Sequence, residues 1–175
     1  MQLKSAAVGL PNVIHESLFD TPVGPLIASA DDEGLTGLGF ARGRQPARST
    51  GAGPRLRGVL AGVQAQIGEY FAGKRKVFDL PLHLRGPEFH LFVWNALCEI
   101  PYGETISYGA LARRIGEPDA ARAVGAANGA NPIVIIVPCH RVIGADGKLV
   151  GYGGGLRRKR RLLDLEAGRL ALAMV

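Results

Sequence analysis

Cysteine is nearly absent from this 175-residue chain: Cys98 and Cys139 stand far apart, in neither a CxxC nor a Cys/His ligand pattern. That spacing argues against a disulfide framework and a zinc site. So few thiols suit a reducing compartment. Long hydrophobic runs are missing too. The most apolar window, Ala123 to Val137, is interrupted by Asn128, Asn131 and Pro132 and is too short to span a bilayer. Before Pro11 there is one lysine and no sustained apolar stretch, which does not read as a secretory signal. The expected location is cytoplasmic, with no membrane partner. Internal repeats are lacking, and the glycine-rich Gly151 to Gly155 has no Walker lysine and serine spacing. It reads as a loop that permits close backbone approach, not as a phosphate cradle.

What is present is a 47% hydrophobic chain of ordinary domain size with 21 basic against 15 acidic residues, a formal charge of +6. This balance favours a polyanionic partner without specifying a fold. Between Ser17 and Phe40, short apolar runs are separated by Thr-Pro-Val-Gly and Asp-Asp-Glu-Gly, which predicts a small antiparallel sheet. Arg42 to Pro54 reads as a surface loop. Leu56, Val59, Leu60, Val63, Ile67, Tyr70 and Phe71 recur at helical spacing, with Gly73 placed to end that helix. A strand-like Val77 to Leu84 follows, and a boundary at Arg85-Gly86-Pro87 divides the chain into residues 1–85 and 86–175.

In the second part, Phe89 to Ile100 forms an apolar helix face ended by Pro101-Tyr102-Gly103. Ser107 can cap a helix over Tyr108 to Ile115, and Gly116-Glu117-Pro118 turns the chain into a second one, about Asp119 to Gly129. Two short helices across a tight turn read as a helix-turn-helix. A buried-type strand, Ile133 to Val137, leads into Pro138-Cys139-His140-Arg141, and a last helix spans about Arg157 to Ala167.

Cys139 follows an apolar strand end, where active sites collect, and two readings stand: a small buried hydrophobe, or a nucleophile. A thiol of ordinary pKa, about 8.5, needs a base or a positive field to react at neutral pH. His140 is adjacent, although neighbours on an extended chain point to opposite faces. Arg122, on the second helix of the motif, is either solvated or directed at DNA. The run Arg157 to Arg161 opposes the helix dipole and reads as solvent-facing. Cys98 reads as core, and Glu166 alone as an ordinary surface carboxylate.

Taken together, Ile100-Pro101-Tyr102-Gly103-Glu104-Thr105, Ser107-Tyr108, Ala121-Arg122-Ala123-Val124-Gly125, Asn131-Pro132, Ile136 to Ile143 and Gly151-Tyr152-Gly153-Gly154 closely resemble the 6-O-alkylguanine-DNA alkyltransferases. The strong match covers roughly Phe89 to Glu166. The resemblance implies an α+β architecture: an N-terminal ribonuclease-H-like subdomain, then a C-terminal winged helix-turn-helix subdomain. It also implies a monomer that binds double-stranded DNA carrying alkylated guanine, with cooperativity left open. In such proteins the recognition helix enters the minor groove, and an arginine matching Arg122 fills the space left by the flipped-out base. Ala123, Gly125, Ala127 and Asn128 are the further DNA-binding positions. Cys139 is then the single-use alkyl acceptor, His140 and Glu166 its activating relay through a water, Asn131 a hinge, and Tyr108 the donor to the departing base; with nucleophile and leaving-group assistance both implied to come from side chains, neither a metal nor a cofactor is expected. Tyr108, Val142, Tyr152, Gly153 and Gly154 are the implied pocket. Rival readings are a non-catalytic sensor of alkylated DNA, against which Cys139 argues, and a winged-helix regulator with a buried Cys139.

Overall fold

A computed structural model describes residues 13–47 and 52–170. The stretch before Pro11, residues 48–51 of the expected Arg42 to Pro54 loop and the last five residues lie outside that range. The expected antiparallel sheet is present as β1 (His15–Phe19), β2 (Leu26–Asp31) and β3 (Gly34–Phe40), paired in that order. The Asp-Asp-Glu-Gly turn closes because Asp31 Oδ1 accepts from the Glu33 and Gly34 amides at 2.9 and 3.1 Å. Gly34 is required there. Its φ is +152°, and a Cβ would lie 2.4 Å from the Pro81 carbonyl oxygen.

Helix α1 (Pro54–Phe71) starts with proline in its first turn and lays Leu56, Val63, Ile67, Tyr70 and Phe71 inward. Val77 to Leu84, expected as a strand, makes only an isolated bridge between Leu82 and Leu35. Pro81 has no N–H for a ladder, so the chain offers its carbonyl to Leu35 N and takes one return bond, His83 N to Leu35 O, both 2.8 Å. Asp31 holds this crossing from below, meeting His83 Nδ1 at 2.9 Å and Arg85 at 3.0 Å.

Helix α2 (Glu88–Cys98) follows Pro87 and packs on α4 (Ala121–Gly129), where Trp94 Nε1 donates to the Ala127 carbonyl at 2.8 Å. Cys98, expected in the core, is exposed at the last position of α2, because the apolar face ends one residue earlier at Leu97. Helix α3 (Tyr108–Arg114) is capped by Ser107, whose Oγ accepts from Ala110 N, and Gly116 at φ +79° turns the chain into α4. A short parallel pair, β4 (Ile106–Ser107) with β5 (Val142–Ile143), ties this motif to the segment after Cys139.

The expected strand Ile133 to Val137 is not one. Only Ile133 bridges β3, at Leu38, after which the chain curls so that Val137 N bonds Ile133 O. Ile133, Ile135 and Val137 are all fully buried, so the apolar run records burial on every side, a signal that periodicity cannot separate from a strand. Helix α5 (Leu156–Glu166) closes the molecule, and one continuous apolar core runs from the sheet and α1 through this curled segment to α5. Among the described residues no helix is long and apolar enough to cross a membrane.

Candidate active site around Cys139

Cys139, His140 and Arg141 form a 3-10 turn, all three buried. The curl before them is strained: Ile135, a β-branched residue, sits at φ +73°, a region such residues rarely occupy. Asn131 clamps it from both sides. Its Nδ2 donates to Val137 O at 2.8 Å and its Oδ1 accepts from Ile133 N at 3.0 Å, so one side chain fixes the turn that presents the thiol.

The turn also settles where His140 points. It is not extended chain, and the imidazole faces α5, with Nε2 2.7 Å from Glu166 Oε1 and no water-exposed surface. Glu166, expected at the surface, has a fully buried side chain. Arg141 binds it twice, Nε to Oε2 at 2.9 Å and Nη2 to Oε1 at 3.0 Å, while Tyr70 donates at 2.8 Å from α1 and Gly103 N at 3.2 Å. Burial alone would raise the carboxyl pKa, but His140 and Arg141 outweigh it and hold it near 2. Glu166 is therefore an acceptor only. Nε2 must carry its hydrogen toward Glu166, which leaves Nδ1 as the basic nitrogen. That Nδ1 is buried and has no hydrogen-bond partner among the described residues. Burial, opposed by Glu166, lowers the His140 pKa and keeps the imidazole neutral, able to take a proton.

Burial pushes the Cys139 thiol up, against the opposing effects of Asn131 and the Lys159 charge. The resting thiol is protonated, so deprotonation belongs to the reaction and not to the ground state. Beside it lies a cavity of about 120 Å³ lined by Tyr108, Gly125, Asn128, Asn131, Tyr152 and Gly153, with Gly129, Val134 and Gly151 completing the wall. Two polar atoms in its lining, Asn128 Oδ1 and the Tyr152 hydroxyl, have no partner among the described residues. Tyr108 donates to Val150 O at 3.3 Å, and burial keeps both phenols protonated and able to donate. A larger hollow of about 210 Å³ lies on the far side of Pro138 and Arg141 and does not contain Cys139.

Not every expected pocket residue lines this cavity. Val142 is fully buried in β5, and Gly154 stands behind the wall against Phe40. On α4, Arg122 and Ala123 are exposed, Gly125 and Asn128 face the cavity, and Ala127 is fully buried, its carbonyl bound to Trp94. Ala127 thus supports the helix from beneath.

Sequence reasoning passed over Tyr70, Arg141 and Lys159. Lys159, read as solvent-facing within its basic run, is fully buried and donates to the carbonyls of Val142, Val150 and Gly151 at 2.6, 2.7 and 3.1 Å. A signal existed: positions 159, 162, 163 and 166 follow the i, i+3, i+4, i+7 spacing of one helix face.

Two family models match the chain, the 6-O-methylguanine DNA methyltransferase ribonuclease-like domain over residues 14–84 and its DNA binding domain over residues 88–168. A methylated-DNA–protein-cysteine methyltransferase of Mycolicibacterium paratuberculosis is 55% identical over 154 residues, 88% of this chain and 93% of that one. Its namesake from Mycobacterium bovis is 52% identical over 157 residues, 90% and 94% of the two chains. The crystal structure of Mycobacterium tuberculosis OGT in complex with DNA superposes with a TM-score of 0.79 at 52% identity, covering 89% of this chain and 94% of that one. The mixed α and β fold, with a ribonuclease-like part preceding a DNA-binding part, is the one these matches describe. The chain belongs to the 6-O-methylguanine DNA methyltransferase family.

Proposed function

We propose that this protein repairs alkylated DNA by a single, irreversible transfer of the alkyl group from 6-O-alkylguanine to Cys139. The observation that carries the reading is a cysteine in the wall of a cavity behind the helix-turn-helix, followed by a neutral histidine hydrogen-bonded at 2.7 Å to a carboxylate held ionised. Nδ1 of His140 takes the thiol proton, through a bridging water, as Sγ attacks the alkyl carbon. The new bond is Sγ–C and the broken one C–O6. Tyr108 supplies a hydrogen bond or proton to the guanine leaving group, limiting the charge that would otherwise build there. Asn131 holds the cysteine turn in register with α4.

In this reading, residues 1–85 form one subdomain and 86–175 the DNA-binding and alkyl-acceptor subdomain. A monomer in the cytoplasm acts on duplex DNA, the lesion enters through the minor groove, and Arg122 occupies the vacated stack. Support for that placement comes from the exposure of Arg122 and Ala123 beside the cavity mouth. Alkylated thymine is a second substrate to be tried. Incubation with a 6-O-methylguanine duplex should leave one methyl group on the Cys139 peptide by mass spectrometry; an unmodified peptide from folded, DNA-bound protein overturns the reading. Arg122→Ala should slow repair of the duplex lesion more than reaction with free 6-O-benzylguanine, and equal losses would remove Arg122 from base extrusion.

A further inference from the structure

The glycine-rich wall of the cavity does not stand on its own subdomain alone. Arg158, on α5, donates Nη1 to Gly154 O at 3.0 Å and Nε to Val23 O at 2.6 Å, joining the loop to the turn between β1 and β2. Its guanidinium also stacks over the Phe40 ring at 4.5 Å. Phe40, at the end of β3, meets Tyr152 edge-on with centroids 6.2 Å apart. Gly154 is wedged between these rings: a Cβ there would lie 2.3 Å from Phe40 and 2.7 Å from Tyr152. Just beyond Phe40, Arg42 donates to Gly153 O while sitting at φ +49°, beside Gly43 at +80°. An arginine held in the left-handed region is a cost that its surroundings must offset. Two N-terminal side chains, Phe40 and Arg42, and one arginine of α5 therefore converge on the Tyr152 ring and the carbonyls of Gly153 and Gly154.

We propose that Arg158, with Phe40 and Arg42, is a positioning device through which the N-terminal sheet sets the width of the lesion pocket, and so the size of alkyl group accepted. This rests on the repair reading above. Tyr152 and Gly153 line the cavity together with Cys139, whereas Arg158, Phe40 and Arg42 are absent from its lining. These three side chains act on the substrate only through the loop. Because the loop on both sides of Tyr152 is glycine, Tyr152 alone among its residues has a side chain to anchor it, and an outer clamp can determine its place. Loosening the clamp widens the pocket, which favours a bulky substituent over a methyl.

The test compares single-turnover alkylation of Cys139 by duplexes carrying 6-O-methylguanine or 6-O-benzylguanine, each over a range of DNA concentration. Arg158→Met keeps the aliphatic stem and removes the donors; Phe40→Leu removes the ring. Arg160→Met, on the exposed face of the same helix, removes an equal charge without reaching the loop. The expected result is a benzyl-to-methyl rate ratio raised by about threefold or more in Arg158→Met and Phe40→Leu, the scale of losing one or two hydrogen bonds or a ring contact, and unchanged in Arg160→Met. Arg158→Lys, which keeps the charge and one donor, should restore the ratio in part, and it replaces Arg158→Met if that variant does not fold. Ratios within twofold of wild type in the folded clamp variants, or an equal shift in Arg160→Met, overturn the proposal while leaving the repair reading intact. Failure of wild-type Cys139 to react with either duplex overturns the repair reading itself.

Discussion

Glu166 and Lys159 lie two turns apart on one face of α5, and both side chains are withdrawn from water, yet their surroundings differ in kind. Glu166 meets a full guanidinium, an imidazole, a phenol and an amide. Lys159 meets three backbone carbonyls. Desolvation works against the charged form in both cases. Formal counter-charge overcomes it at Glu166, whose pKa falls to about 2, whereas burial among uncharged carbonyls leaves the Lys159 pKa lowered to about 8. The carboxylate is thereby fixed as a permanent anion behind His140, and the lysine draws the β5 strand and the start of the glycine loop onto α5.

Several variants would break or sharpen this contrast. Arg141→Met removes the counter-charge of a buried carboxylate, so the largest loss of stability is expected there, about 3–5 kcal/mol by denaturant unfolding. A loss near 1 kcal/mol would mean that Glu166 is not held by charge. Next comes acid lability. Because the folded carboxyl pKa lies near 2 against an ordinary 4.5, its contribution is complete above pH 4.5 and disappears as pH falls toward 2. That contribution is roughly 3 kcal/mol. His140, whose pKa is also lowered, adds to the same acid-side loss beginning below its ordinary 6.5, since the unfolded imidazole takes up protons first. Stability measured against pH in Glu166→Gln should show a shallower slope between 4.5 and 2, the remainder coming from carboxylates such as Glu16 and Asp31 whose pKa values are also lowered.

Lys159→Met is expected to cost about 1–3 kcal/mol, less than Arg141→Met, since it strands carbonyls and not a charge. The smallest effect belongs to Tyr70→Phe, about 1 kcal/mol for one hydrogen bond among five to Glu166. Losing that donor makes the carboxylate a stronger acceptor for His140, so the acid limb of the alkyl-transfer pH profile should move upward while transfer persists. A profile that does not move would separate Tyr70 from the relay.

How much of this was legible in the sequence differs between the two ends of α5. The helix-turn-helix is legible from Ser107, Gly116 and their apolar spacing, and Cys139 and His140 stand out as a possible nucleophile and its neighbour. The roles of Cys139, His140, Asn131 and Glu166 come from the family resemblance, Glu166 having no local signal of its role at all. Its burial, and that of Lys159, is a tertiary fact: Tyr70 from α1 and the 3-10 turn close over Glu166, while β5 and the glycine loop close over Lys159. The strands expected at Val77 to Leu84 and Ile133 to Val137 did not form. Residues 133–137 are apolar because they cross the packed core, whereas 77–84 lies at the surface with only Leu84 buried, and proline at 81, 132 and 138 restricts regular pairing in both. Arg141 sits in the open within the motif, but nothing local says that its guanidinium turns inward.

The two cysteines provide the most direct measurement of the central claim. Cys98 is exposed, although partial burial of its thiol pushes the pKa up to about 11, and Cys139 is buried, so alkylation governed by access alone would reach Cys98 first. Peptide mass spectrometry after reaction with a slight excess of 6-O-methylguanine duplex should find one methyl per chain, all on Cys139, with none added on further incubation. Methylation of Cys98 in preference to Cys139, or continued turnover of lesions by each chain, would contradict the account.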